Sequence, residues 1–284
     1  MKNSLRVEAL SILMLLFISI SAAAYLVHSS SSIQLKQTAS LGAASEEPLR
    51  VAIECANGSY SRDNSTYDPV YSMQDLFESS GYETAIVNGT DIDTVEELNN
   101  YDVVVIGDSG WADNDFNVCQ SALKEWVENG GGVVATGWTL WGIDHTGITG
   151  GDLDQILPVS PPDYWEISGN ITMTSVNNLI AQGVADFPIY GYAEFPSSES
   201  ADSGATVLGV TTANNDPVVV VWSYGLGRTV YLGPIYFADF QSYGNEGLYT
   251  DANAVKLLLN SVEWAGAHGS KCLVLSNLDA DVCA

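Results

Sequence analysis

The segment 101–142 constrains the fold of this chain most, because it alternates a strand, a helix and a second strand. Residues 103–106 form a continuous β-branched run, which is typical of a parallel strand covered on both faces. Leu123, Trp126 and Val127 then repeat at helical spacing. This alternation predicts an α/β fold.

Three glycines at 130–132 end the predicted helix, and residues 133–136 resume as a strand. In open α/β sheets, ligands bind beyond the carboxyl ends of the strands. We therefore expect the functional site in the loops that follow the two strands, at 108–111 and 137–145.

Other segments extend this pattern. Two further parallel strands are predicted at 49–54 and 82–87. Two β-rich runs flank a glycine turn in 217–233, which predicts an antiparallel hairpin. Residues 251–265 form an amphipathic terminal helix, and 159–196 lacks a clean period and predicts an insertion or lid. The predicted buried face of the helix consists of Ala254, Leu257, Leu258, Ser261, Val262 and Ala265.

The five residues 137–141, Gly-Trp-Thr-Leu-Trp, follow a strand where the class I glutamine amidotransferase-like fold carries a Gly-x-Cys-x-Gly elbow. Over roughly 49–266 the chain resembles that fold, and within it the ThuA-like proteins and the trimerisation domain of some β-galactosidases. The resemblance implies a flavodoxin-like three-layer sandwich with a mainly parallel central sheet, an antiparallel hairpin and a C-terminal helix.

The same resemblance implies that the catalytic pair of the family is missing. Thr139 takes the position of the nucleophilic Cys, and Ala238 takes that of the His. A neutral hydroxyl without a neighbouring base is a poor nucleophile, so we expect no glutaminase activity.

The amino terminus predicts export. Residues 1–24 resemble a signal peptide, with Lys2 and Arg6 before an apolar run and small residues at 22–24. The uncharged run 9–27 is also nearly long enough for an uncleaved membrane anchor. A flexible linker is expected at 25–48, and both readings predict an extracellular or cell-surface domain.

Four cysteines agree with an oxidising compartment. Cys272 and Cys283 bound a short tail at 267–284 and are expected to pair, which leaves Cys55 and Cys119 as a second pair. Four cysteines allow three pairings, and Cys55 as a reactive thiol is the alternative. Glycosylation sequons begin at Asn57, Asn64, Asn88 and Asn170.

Charge excludes some partners. Nine Lys and Arg against 35 Asp and Glu give a net charge of −26, which repels nucleic acid.

Asp144 and His145 are candidates for acid–base catalysis. The sequence contains no metal-binding motif, although several carboxylates near the strand ends are candidate ligands for Ca²⁺. These carboxylates are Glu54, Asp108, Asp113, Asp115, Asp144 and Asp239.

Aromatic side chains also gather in the loops after the strands. Together with carboxylates, such rings commonly hold sugars, although they also serve simply to cover a sheet. The predicted ligand-binding residues are Asp108, Trp111, Trp138, Thr139, Trp141 and Tyr236.

Three function classes follow from these features. The favoured one is a noncatalytic domain that recognises a glycan or a protein partner or builds a surface assembly, with a homo-oligomer left open. The alternatives are a carboxylate-dependent hydrolase that acts on extracellular carbohydrate, and a structural component of the cell envelope.

Overall fold

A nine-stranded mixed sheet forms the centre of the described chain. The computed structural model describes residues 47–55, 69–107, 115–175, 177–196, 204–237 and 245–267. The strands of the large sheet are β1 (Arg50–Glu54), β2 (Glu83–Val87), β3 (Val103–Ile106), β4 (Gly132–Thr136), β6 (Asn170–Met173), β7 (Phe187–Pro188), β9 (Thr206–Thr211), β10 (Pro217–Tyr224) and β11 (Gly227–Leu232). A separate two-stranded sheet contains β5 (Asp163–Glu166) and β8 (Ala193–Pro196).

The large sheet has a parallel half and an antiparallel half. Its order is β2-β1-β3-β4-β11-β10-β9-β6-β7, and neighbours are parallel from β2 through β11. From β11 to β7 all neighbours are antiparallel. The predicted α/β class, with parallel strands and an added antiparallel hairpin, is confirmed.

Helices connect and cover the strands. They are α1 (Pro69–Ser79), α2 (Val95–Leu98), α3 (Asp115–Glu128), α4 (Thr139–His145), α5 (Asp152–Ile156) and α6 (Ala252–Gly266), with 3₁₀ turns at Gly89–Asp91 and Asn245–Tyr249. All six residues predicted for the buried face of the terminal helix are buried in α6. Asp251 caps that helix, because its carboxylate accepts hydrogen bonds from the backbone N–H groups of Asn253 and Ala254.

Two hydrophobic clusters lie on opposite faces of the sheet, because successive side chains of a strand point to opposite sides. Val103 and Val105 pack in the first cluster with α1 and α6, whereas Val104 and Ile106 pack in the second with α3. The central strands β3 and β4 are thus buried on both faces along their whole length, which explains the apolar sequence of β3 and the small and apolar residues of β4.

Most predicted elements are confirmed within one or two residues, including four parallel strands, the hairpin and the terminal helix. The segment 159–196 differs from the expected insertion or lid. It supplies β6 and β7, which extend the antiparallel half of the large sheet, as well as both strands of the small sheet. These strands are short, and their hydrogen-bonding partners lie far away in sequence.

The expected pairing of Cys55 with Cys119 is not found. Both side chains are buried, but Cys55 packs in the first cluster and Cys119 in the second, so the sheet separates them. The other predicted pair, Cys272 and Cys283, lies outside the described residues.

The N-terminal segment 1–46, which contains the predicted signal or anchor, also lies outside the described residues. Within the described part, no helix combines the length and the apolar character needed to span a bilayer. Of the four sequons, Asn57 and Asn64 fall outside the description, whereas Asn88 caps a 3₁₀ turn and Asn170 is exposed at the start of β6.

Candidate functional site

A sharp strand-to-helix turn joins β4 to α4 at the predicted site. Trp138 has φ 75° and ψ −5°, a left-handed conformation that is rare for a residue with a large side chain. A Cβ atom on Gly137 would clash with the Gly233 carbonyl oxygen, so only glycine fits at the position before Trp138. This turn has the form of a nucleophile elbow, in which a strained residue presents its side chain above the sheet.

The strained residue is Trp138, one position before the residue that motif alignment assigns to the nucleophile. Thr139 instead begins α4 and is fully buried. Its hydroxyl lies 3.5 Å from the Gly107 carbonyl oxygen, to which it donates. An indole therefore stands where the turn would present a nucleophile, and the neighbouring hydroxyl points into the protein.

Glu194, a fully buried residue of β8, holds the first turn of α4. Its Oε1 accepts a hydrogen bond from the backbone N–H of Trp141 at 2.8 Å, and its Oε2 accepts one from the backbone N–H of Leu140 at 3.2 Å. The Tyr231 hydroxyl donates to the same Oε2 at 2.9 Å. Because Trp138 contributes no side-chain cap to α4, a carboxylate 54 residues away in sequence from Leu140 does so.

The pKa of Glu194 is raised to about 8: burial is the main cause and the nearby charge of Asp163 adds to it, while the hydrogen bonds act in the opposite direction. Burial also raises the pKa of Asp163, with an added contribution from the charge of Asp144. The Asp163 Oδ2 atom is buried and makes no hydrogen bond to any described group. The charge of Asp144 in α4 thus acts on Asp163 in β5, and the charge of Asp163 acts on Glu194 in β8.

Four rings gather on the outer side of the turn, and we call them the aromatic patch: Trp138, Trp141, His145 and Tyr192. The Trp138 ring lies 5.9 Å from Trp141 in an edge-on arrangement and 6.2 Å from Tyr192. Trp141 stacks on His145 with ring centroids 4.5 Å apart. His145 is exposed and the other three rings are partly exposed, so the patch reaches solvent.

The structure places the remaining predicted residues differently. Tyr236 is fully buried and donates its hydroxyl hydrogen to the Ala254 carbonyl oxygen, which makes it a core residue. Asp144 is exposed beside the patch, and its Oδ1 accepts from the Thr149 hydroxyl at 3.4 Å. Asp108 and Trp111 lie outside the described residues, as does Ala238, the position of the missing base.

Metal binding finds no support in the part of the chain that the structure describes. There, no group of three or more His, Cys, Asp or Glu side chains is arranged to hold an ion. Asp108, Asp113 and Asp239, three of the predicted Ca²⁺ ligands, lie outside that part, and Glu54 is fully buried at the end of β1.

Sequence reasoning missed Glu194, Asp163 and Tyr192. The only local signal for Glu194 is a carboxylate between Ala193 and Phe195 in a short apolar run. A charged residue in such a run is rarely buried without a partner, but nothing in the sequence identifies its partners.

Comparisons with known proteins support the fold. No family model matches the chain, and no curated protein matches it either. Two solved structures from Salmonella typhimurium, the cytoplasmic proteins STM3548 and STM1381, are 18% and 16% identical to this chain with TM-scores of 0.59 and 0.60. Each match covers 76% of this chain and 98% of the other.

A ThuA-like protein from Bacteroides uniformis is similar over 78% of this chain and 92% of its own, at 15% identity and a TM-score of 0.53. The expected ThuA-like resemblance is thus confirmed for the fold. Bacterial β-galactosidases also match, with TM-scores of at most 0.49, too low to support an argument.

The comparisons contradict the expected location. Export was inferred from the N-terminal segment, but both Salmonella neighbours are described as cytoplasmic proteins, which points away from an extracellular or cell-surface domain. The apolar run that suggested export lies outside the described residues and says nothing about the fold itself.

Proposed function

We propose that this chain is a noncatalytic recognition domain on a flavodoxin-like three-layer core, and that the aromatic patch binds its ligand. The order of the five parallel strands, β2-β1-β3-β4-β11, agrees with the flavodoxin-like order 2-1-3-4-5. The patch follows the carboxyl end of β4, the edge of the sheet where α/β proteins of this type bind ligands.

The observation that carries the proposal is the left-handed Trp138 at the elbow. Strained backbone of this kind costs on the order of 1–3 kcal/mol, which a protein tolerates when the strained residue has a function. In an acyl-transfer enzyme that function is nucleophilic attack, but an indole offers no nucleophile of that kind. What an indole offers is a broad apolar face for stacking.

A glycan fits this surface better than other small ligands. Sugar rings present C–H faces that stack on indole and phenol rings, and their hydroxyls bond to nearby carboxylates. The patch combines Trp138, Trp141 and Tyr192 with the exposed carboxylate of Asp144. A ring-shaped polyhydroxylated ligand would contact the rings and Asp144 at once.

The hydrolase alternative has less support than recognition, because Glu194 makes its hydrogen bonds within the protein. A general acid must reach the substrate within hydrogen-bond distance. Glu194 has the raised pKa of such an acid, but it is fully buried and accepts three hydrogen bonds from the protein. We therefore assign it to holding the turn in place.

The proposal is tested by glycan-array screening of the protein, followed by titration of the best ligand. Trp138→Ala and Trp141→Ala should each weaken binding by about 1 kcal/mol or more, roughly fivefold or greater, because stacking area is lost. Trp222→Ala is the matched control, since Trp222 is a partly exposed Trp that packs on Tyr224 in β10.

Two results would contradict the proposal. Unchanged binding in both patch variants would remove the recognition role of the aromatic patch. Release of ammonia from glutamine by the wild-type protein would overturn the noncatalytic assignment.

A further inference from the structure

The strand β5 carries large apolar side chains that face solvent. Tyr164 is 51% exposed, Trp165 is 55% exposed, and Ile167, just after the strand, is 62% exposed. These three residues lie within four positions, whereas the other exposed large hydrophobic residues of the described chain are scattered singly: Val118, Leu179 and Leu226. A local concentration of this kind marks an interaction surface more often than isolated residues do.

Among the described strands, β5 pairs only with β8, so its second edge has no strand beside it. The direction of the main-chain groups follows from the pairing of Trp165 with Glu194. The Glu194 N–H donates to the Gly233 carbonyl oxygen at 2.8 Å, on the side away from β5. In an antiparallel ladder the opposite residue, Trp165, then also directs its N–H and C=O away from its neighbour. These groups of Trp165 therefore face the second edge.

The charge around β5 determines which kind of partner suits its second edge. Asp163 and Glu166 lie at the two ends of β5, and Asp144 lies close enough to raise the pKa of Asp163. The whole chain carries a net charge of −26. A second copy is disfavoured, because it would bring the same acidic side chains and the same net negative charge to the shared edge.

We propose that an extended, positively charged segment of a partner protein adds to the second edge of β5 as a further strand. Its main chain would bond to Trp165, its apolar side chains would cover Tyr164 and Trp165, and its cationic side chains would face Asp163 and Glu166. This mode, in which the main chain supplies affinity and alternate side chains supply specificity, is known for peptides that extend exposed sheet edges. The proposal is independent of glycan binding at the aromatic patch.

The test uses the full chain and a fluorescein-labelled Lys–Val peptide with the repeat Lys-Val-Val-Lys, which places Lys opposite Asp163 and Glu166 and Val opposite Tyr164 and Trp165. Binding is followed by fluorescence anisotropy. A peptide with the repeat Glu-Val-Val-Glu tests the charge requirement. A Lys–Val peptide methylated at every backbone nitrogen keeps its charges but lacks main-chain donors, so it tests strand addition. Trp165→Ala removes the exposed ring, and Leu226→Ala, at a residue 74% exposed in the β10–β11 turn, is the matched control.

The expected result is saturable binding of the Lys–Val peptide that weakens about tenfold or more on backbone methylation and in Trp165→Ala, but not in Leu226→Ala. Equal binding by the methylated peptide, or by both variants, would reduce the effect to general attraction by an acidic protein and overturn the proposal. Absence of binding would overturn it as well. If the protein also sedimented as a dimer that Trp165→Ala dissociates, the edge would belong to a second copy.

Discussion

Replacing Glu194 with Gln should remove the pH dependence that this buried carboxyl imposes on stability. Burial raises its pKa from 4.5 to about 8, so the folded protein keeps a proton that the unfolded chain has already released. Stability from such a group is complete below the unfolded pKa and is lost as pH rises through the folded one. The stability contributed by Glu194 is therefore lost over the pH range from 4.5 to about 8.

The size of the effect follows from the shift. Each pKa unit corresponds to about 1.4 kcal/mol, so the wild type should lose on the order of 4 kcal/mol through Glu194 between about pH 5 and about pH 9. Gln has nearly the same shape and no charge. Its amide nitrogen cannot accept from the Leu140 N–H, a loss of about 1 kcal/mol that is independent of pH. The wild type should thus be the more stable protein in acid and the less stable one in alkali.

Urea unfolding followed by tryptophan fluorescence, repeated across that pH range, measures the pH at which the variant becomes more stable than the wild type. Other groups also titrate, so the informative quantity is the difference in unfolding free energy between wild type and variant at each pH. Glu128→Gln is the control, because the exposed Glu128 accepts from the Tyr224 hydroxyl at 3.3 Å in a similar Tyr–Glu pair. A wild-type minus Glu194→Gln difference that stays constant with pH would refute the reasoning.

Three further outcomes are expected. Trp138→Gly should be more stable than Trp138→Ala by about 1 kcal/mol in urea unfolding, because both lose the ring but only Gly adopts φ 75° without strain; equal stabilities would argue against strain at the elbow. Asp251→Ala should cost about 1–2 kcal/mol through loss of the α6 cap, measured as a fall in thermal midpoint, whereas Asp251→Asn should retain most of it. Thr139→Cys should release no ammonia from glutamine in a coupled assay, because Thr139 is fully buried; measurable release would show that the site can be activated.

Local sequence patterns determined the parallel half of the sheet, the hairpin and the terminal helix. Each of these elements has a strong period or an uninterrupted apolar run, and glycines mark several of their ends. Gly225 illustrates the point, since it takes φ 60° in the two-residue turn between β10 and β11. Where the pattern is local and strong, the chain encodes the element within a few residues.

The ThuA-like resemblance also came from local motifs, but these motifs located the elbow one residue late. A five-residue match gives the spacing of residue types and not the backbone angle of each one. Only the three-dimensional structure shows that Trp138 has the left-handed conformation and that Thr139 is buried. The burial of Tyr236 was equally invisible, because a Tyr after a strand suits either a core or a ligand site.

Only the tertiary structure decided which residues hold the elbow turn in place and which strand of the small sheet has an open edge. Glu194 binds the first turn of α4 from a strand more than fifty residues later, and β6 joins the large sheet through β9, where Ile171 pairs with Thr211. Such contacts depend on how the chain returns on itself, and a short segment contains no periodic trace of them. The sequence by itself therefore determined which elements exist, whereas their three-dimensional arrangement decided which residues form the aromatic patch and which strand keeps an open edge.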